Sequence, residues 1–255
     1  KLSSSAMWEA DRPSLRLFFL MIRRPPRSTL LTYTTLFRSV DAAVAAGADA
    51  IGFVLYPKSP RFVAPERAAE LARRLPPFVT PVLLFVNENA MNIEAACSHV
   101  AGATMQFHGD ESAADCVAVA RTTGRPFMRA ARIPAPPAAM PDLVNFAHTF
   151  SAAQAILLDA HVDGYGGGGK TFDWSRLPPN VPAHLVLSGG LTPANVSDGI
   201  AALRGRGYSL AVDVSSGVEC QAEDGKLLKG IKDAGKIHQF VSAARAADAQ
   251  VLTAP

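Results

Sequence analysis

Residues 50–86 read AIGFVLYPKSPRFVAPERAAELARRLPPFVTPVLLFV, and this stretch holds the repeating unit of the fold. Ala50 to Leu55 is a continuous apolar run of strand length. Tyr56 to Arg61 is polar and punctuated by proline. Pro65 to Leu75 then places Ala68, Ala69, Leu71, Ala72 and Leu75 on one helical face, with Pro65 at the helix start. A second apolar run, Pro81 to Val86, follows. Strands without polar alternation are buried on both faces, as in a parallel sheet, and the helix between two of them is the crossover such a sheet requires.

The same alternation continues to the end of the chain. Further strands are predicted at Thr104–Phe107, Phe127–Arg132, Ala155–Asp159, His184–Ser188 and Leu210–Val214. Helices are predicted at Asn92–Val100, Ser112–Arg121, Pro141–Phe150, Pro193–Leu203 and Lys232–Ala247, with a short opening helix at Asp41–Ala46. Seven strands preceded by a helix are one strand short of a (β/α)8 TIM barrel, and the missing element would lie before Val40. The predicted fold is therefore an α/β barrel apparently lacking its native first strand, with residues 40–255 as the barrel domain and 1–39 as an anomalous, non-native segment.

Residues 1–39 differ from the rest in charge as well as texture. They hold 7 of the 25 Lys and Arg and 2 of the 22 Asp and Glu, a balance of +5, which leaves 18 basic and 20 acidic side chains, or −2, for residues 40–255. The basic character of the chain belongs to its first segment, and no nucleic-acid partner is expected of the barrel. The apolar run Leu17 to Ile22 is too short for a membrane span or for the core of a signal peptide, and no membrane association is expected. Leu17 to Ser39, LFFLMIRRPPRSTLLTYTTLFRS, resembles a translated sequencing-adapter read-through. Three cysteines, Cys97, Cys116 and Cys220, form neither a paired framework nor a C-x-x-C spacing. They suit a reducing, cytoplasmic compartment and argue against a structural metal.

Barrel chemistry gathers at the carboxyl ends of the strands. Those ends supply Arg61, then Gln106 and His108, then Asp159, and two glycine turns: Ser188-Gly189-Gly190 after strand 7 and Asp213-Val214-Ser215-Ser216-Gly217 after strand 8. Glycines there let backbone N–H groups approach phosphate oxygens, so the last two turns read as an anion site. Gly164 to Thr171 fits the G-x-x-x-x-G-K-T pattern of nucleotide-binding loops. That loop must open into a long helix, whereas Phe172 to Leu177 runs into Pro178-Pro179. A glycine-rich lid over the barrel mouth is the better reading.

Taken together, GFVLYPKSPRFV (52–63), MQFHGDE (105–111), LLD (157–159) with GGGGKTFDW (166–174), LSGGLTPANV (187–196) and DVSSGVE (213–219) resemble the phosphoribosylanthranilate isomerases from about Val40 to Ala247. The resemblance implies an Amadori rearrangement in tryptophan biosynthesis. N-(5-phosphoribosyl)anthranilate becomes 1-(2-carboxyphenylamino)-1-deoxyribulose 5-phosphate, with no metal or organic cofactor and a monomeric or homodimeric enzyme.

The resemblance further implies Asp159 as general acid and Arg61 as the partner of the anthranilate carboxylate. Gly189, Gly190, Ser215, Ser216 and Gly217 would form the phosphate loops, with Asp213 orienting that rim. Gln106 and His108 would line the substrate side of strand 4, His108 packing rather than carrying a proton.

The chain departs from the family at one point. The family's general base is a cysteine ending the first strand in a Lys-(Ile/Val)-Cys-Gly-Leu-Thr type motif, and no cysteine precedes Cys97 here. Impaired catalysis is the expectation. The alternatives are a barrel that binds the sugar phosphate without turnover, or a nucleotide-binding protein built on the 164–171 loop.

Overall fold

The apolar run opening the repeating unit forms a strand buried along its whole length, Ala50–Val54, and its crossover helix is Pro65–Ala72 with Pro65 in its first turn. In the computed structural model, which describes residues 16–20, 31–134, 138–160 and 173–252, the elements follow one another as strand and helix in turn. They are β1 (Arg16–Leu20), α1 (Leu31–Ala46), β2 (Ala50–Val54), α2 (Pro65–Ala72), β3 (Thr80–Phe85), α3 (Ala90–His99), β4 (Thr104–Phe107) and α4 (Ala113–Thr123). There follow β5 (Phe127–Ile133), α5 (Leu143–Thr149), β6 (Ala155–Ala160), β7 (His184–Leu187), α6 (Val196–Leu203) and β8 (Ser209–Val214). A hairpin of β9 (Glu219–Gln221) and β10 (Leu227–Lys232) precedes α7 (Ala234–Leu252).

Strands β1 to β8 are parallel and close into a barrel in sequence order. The fold is a (β/α)8 barrel, and the seven predicted strands all form within a residue or so of their expected bounds. The vacant first place is taken by part of the anomalous segment. Arg16–Phe19 pair with Ala211–Val214 of β8, and Phe18–Leu20 pair with Ala50–Gly52 of β2. These pairings close the barrel, since the unpaired edges of β2 and β8 offer their backbone groups to an extended partner of suitable length.

Parity divides the barrel into two cores. Ala50, Val82, Met128, Ala130, Ala155, Leu157, Val186 and Ala211 fill the interior, with Val54, Leu84 and Val86 above them. The alternate residues, among them Phe53, Phe85, Phe107, Leu158 and Val212, pack outward against the helices. Phe107 links the outer layer, its ring 6.5 Å from Phe85 and 5.6 Å from Phe127. Continuing the interior parity two residues beyond Leu157, Val186 and Ala211 brings Asp159, Ser188 and Asp213 to the upper rim.

Several helix boundaries differ from expectation: the helix expected from Pro193 begins at Val196, that expected to end at Leu75 ends at Ala72, and the last runs on to Leu252. Two of the starts have a structural cause. The opening helix begins at Leu31, not Asp41, and crosses into the anomalous segment. Leu36 and Val40 are buried, Arg67 lies over the Phe37 ring at 4.3 Å, and Arg74 pairs with Asp41 through both oxygens. Tertiary packing on α2 thus extends the helix beyond its sequence signal. The last helix begins at Ala234, not Lys232: Lys232 ends β10, and Asp233 caps the helix by accepting from the Lys236 amide.

Candidate active site

The side chains at the barrel rim are polar yet almost wholly buried, so each must find a partner or leave an atom unsatisfied. Gln106 and His108, one interior position apart on the β4 side, meet through the Gln106 amide and His108 Nδ1 at 2.9 Å. With that amide donating, the proton of a neutral imidazole sits on Nε2, which faces Asp159 Oδ2 at 3.0 Å. His108, expected to pack, therefore holds the Asp159 carboxyl in place with both ring nitrogens occupied. Gln106 keeps its carbonyl Oε1 buried without a partner among the described residues.

Across β7 the same rim continues. Ser188 donates its hydroxyl to Asp213 Oδ2 at 2.7 Å, while Asp213 Oδ1 has no partner among the described residues. Asp213 is 2% exposed, and burial raises its carboxyl to about 7, against the opposing pull of the Ser188 hydrogen bond. Asp159 raises it further, and His108 and Lys232 lower it. The folded chain thus keeps this proton to a higher pH than the unfolded chain, whose carboxyl has the ordinary value of 3.8. Stability contributed this way is fully present below 3.8 and is lost as pH rises through about 7. Asp213→Asn is expected to remove that loss: in urea denaturation at stepped pH, the wild-type midpoint falls across this window relative to the variant. Parallel midpoints would exclude a shifted Asp213.

The two glycine turns interlock beside this acid. Gly189 and Gly190 have φ of +78° and +67°, a region in which side chains are strained. A Cβ on Gly189 would lie 2.4 Å from the Ala160 nitrogen and 2.8 Å from Asp159 Oδ1, and one on Gly217 would lie 1.9 Å from the Leu191 carbonyl oxygen. The turn after β7 therefore touches both the Asp159 carboxyl and the turn after β8. Asn195 braces the first, accepting from Thr192 N and donating to the Gly190 carbonyl. Lys232 braces the second by donating to the Ser215 carbonyl at 2.7 Å.

Arg61, in the loop after β2, is 2% exposed. Its Nε and Nη2 donate to the two oxygens of Glu219 at 2.7 and 2.9 Å. Glu219 is fully buried and also accepts from the Gly230 amide at 2.6 Å, with Lys232 Nζ at 3.4 Å. Arg61 and Lys232 hold the Glu219 carboxyl below its ordinary range despite its burial. Burial lowers the Lys232 ammonium to about 8. The sequence singles out Arg61 but gives no functional signal for Glu219 beyond its place at the end of DVSSGVE, and Lys232, expected to open the last helix, ends β10 instead.

The cysteines offer no substitute base. Cys97 and Cys116 are buried in α3 and α4, and burial pushes their thiols up to about 11 and about 12. Cys220 lies in β9, beyond the rim, and burial raises its thiol as well. The glycine-rich run 164–171 falls outside the described residues. The next described element is a three-residue 3-10 turn, Trp174–Arg176, rather than the long helix a nucleotide-binding loop opens into. Among the described residues, no group of three or more His, Cys, Asp or Glu is placed to hold a metal ion, and no helix is long and apolar enough to cross a membrane.

Comparison with known proteins gives a consistent result. The family model for N-(5'-phosphoribosyl)anthranilate (PRA) isomerase matches residues 32–243. The chain is 54% identical over 235 residues to the N-(5'-phosphoribosyl)anthranilate isomerase of Leptothrix cholodnii, covering 92% of this chain and 98% of that protein. It is similar to a crystal structure of a phosphoribosylanthranilate isomerase bound to reduced 1-(o-carboxyphenylamino)-1-deoxyribulose 5-phosphate, with a TM-score of 0.68, 32% identity, and coverage of 91% of this chain and 99% of that one. It is also similar to monomers generated from the dimeric enzyme of Thermotoga maritima, with a TM-score of 0.65, 30% identity, and coverage of 91% and 98%.

Proposed function

Because the chain belongs to the N-(5'-phosphoribosyl)anthranilate isomerase family, we propose that its rim carries out the Amadori rearrangement of N-(5-phosphoribosyl)anthranilate, with Asp159 as the acid. The observation that carries this reading is the placement of Asp159. Oδ2 is held by His108 while Oδ1 lies against the Gly189 turn, so the acid and the phosphate grip share one wall.

The substrate enters with its phosphate on the turns at Gly189-Gly190 and Ser215-Ser216-Gly217 and its anthranilate carboxylate toward Arg61. Protonation of the furanose ring oxygen by Asp159 lets the C1–O bond break, and the nitrogen lone pair forms the C1=N bond of a cationic Schiff base. A base then removes the C2 proton. The C–H pair becomes C1=C2, the C=N pair returns to nitrogen, and the resulting enol closes to the ketone as C1 takes up a proton. Hydrogen is only redistributed within the substrate, so the chemistry asks for no redox partner.

Asp213, fixed by Ser188, orients the phosphate side of the rim, and Gln106 and His108 set the face of Asp159. The enzyme works on a small molecule, without nucleic acid or membrane, as a monomer or homodimer in the cytoplasm. The three unpaired cysteines and the −2 balance of residues 40–255 support that setting. Residues 1–39 are read as a non-native segment joined to a barrel domain at 40–255.

One observation favours a second reading of this chain: Arg16–Leu20, in the place of the first strand, reads RLFFL and brings neither cysteine nor carboxylate. The chain then binds the sugar phosphate with turnover depressed. The decay of N-(5-phosphoribosyl)anthranilate fluorescence, read beside binding of the reduced product analogue, tests both. Binding with slow decay is expected, and absence of both would remove the family's activity from this rim.

A further inference from the structure

Glu219 is the fully buried centre of a cluster that reaches both ends of the substrate site. Its carboxylate binds Arg61 through Nε and Nη2, and on its other side meets the Gly230 amide and Lys232 Nζ. Lys232 in turn donates to the carbonyl of Ser215, in the turn that follows β8. The residues come from three separate places: the loop after β2, the residue that opens β9, and the end of β10.

A guanidinium is planar, with one pair of donors along its Nε/Nη2 edge and a second pair along its Nη1/Nη2 edge. Glu219 takes the first pair and fixes the plane, which leaves the second edge as the one that can meet another carboxylate in two parallel hydrogen bonds. One anion between two cations also leaves the cluster with an excess positive charge, suited to an anionic ligand.

We propose that Glu219 is the positioning residue of the aryl-carboxylate subsite, presenting the outer edge of Arg61 to the ligand, and that Lys232 joins this subsite to the phosphate turn. The inference rests on the reading of Arg61 as the partner of the anthranilate carboxylate. It assigns the β9–β10 hairpin a task in substrate selection: recognition of an ortho-carboxylated aryl amine over one without the carboxylate.

The test is equilibrium binding to the full chain, which does not require turnover. The probes are the reduced carboxyphenylamino-deoxyribulose phosphate and its counterpart lacking the carboxylate. The unmodified chain is expected to prefer the carboxylated ligand by about ten- to a hundredfold, the range of a charge-assisted hydrogen-bonded pair. Glu219→Gln is expected to bring the two affinities close together by weakening only the carboxylated ligand. Glu219→Asp keeps the charge, so it protects the fold while withdrawing the carboxylate from Arg61, and it should lose preference in the same sense. Lys232→Gln should weaken both ligands alike, since both carry the phosphate.

Full preference retained in a folded Glu219 variant would overturn the proposal. So would parallel loss of both ligands in the Glu219 variants, which would make Glu219 a purely structural residue. No preference in the unmodified chain would instead fault the reading of Arg61 itself, and this inference with it.

Discussion

Replacing residues 1–30 by a first strand that ends in the Lys-(Ile/Val)-Cys-Gly-Leu-Thr motif, with α1 from Leu31 kept, is expected to raise kcat/KM for N-(5-phosphoribosyl)anthranilate by roughly 10²- to 10⁴-fold, the usual worth of a positioned general base. The remainder of the rim is already assembled. Asp159 is braced, the glycine turns are interlocked, and Arg61 is fixed in plane. The three cysteines present cannot stand in, because two are buried in helices with their thiols raised to about 11 and about 12, and the third lies on the β9 strand of the hairpin. A matched chain with serine in place of the new cysteine separates chemistry from folding. It should gain whatever stability the strand provides and little of the rate. Equal rates for the cysteine and serine versions would show that the base lies elsewhere.

The second large effect is expected at Asp159. In the cysteine-bearing chain, Asp159→Asn should lower kcat and kcat/KM together by roughly 10²- to 10⁴-fold, with KM little changed. The asparagine side chain has nearly the same shape, and its carbonyl can still accept from His108 Nε2, so the wall beside Gly189 is preserved. What is lost is the proton delivered to the ring oxygen. Fluorescence decay gives the rate, and binding of the reduced product analogue gives the affinity. A variant that kept its rate would remove Asp159 from the acid's role.

The barrel was legible in the sequence because strands buried on both faces are apolar without interruption. The runs AILL of 155–158 and PVLLF of 81–85 therefore announce themselves even when short. Helices showing one apolar face, such as Pro65–Ala72, were equally plain. The β9–β10 hairpin was not, since Leu227–Lys232 is mostly exposed or half-buried and lacks either signature. Glu219 and Arg61 lie 158 residues apart, and His108 and Asp159 lie 51 apart. The residue types at the site could be read from the chain. Their pairing could not, because no local spacing encodes a contact made by the closing of a barrel.

The pairing of Arg16–Phe19 with β8 and of Phe18–Leu20 with β2 has a wider implication for this architecture. A stave in such a cask answers to two unrelated demands. Main-chain donors and acceptors must meet its neighbours with side chains apolar enough for the cores on both faces, which many apolar pentapeptides can satisfy, and one side chain at its upper end must suit the reaction. Since the first demand asks for apolar character but for no particular side chain, exchange of the opening stave can remove or supply a reactive group while the remaining seven strands and their anchoring turns stay as they are. A library of five-residue openings joined to residues 31–255 would sample that route directly, with closure and chemistry scored as separate traits.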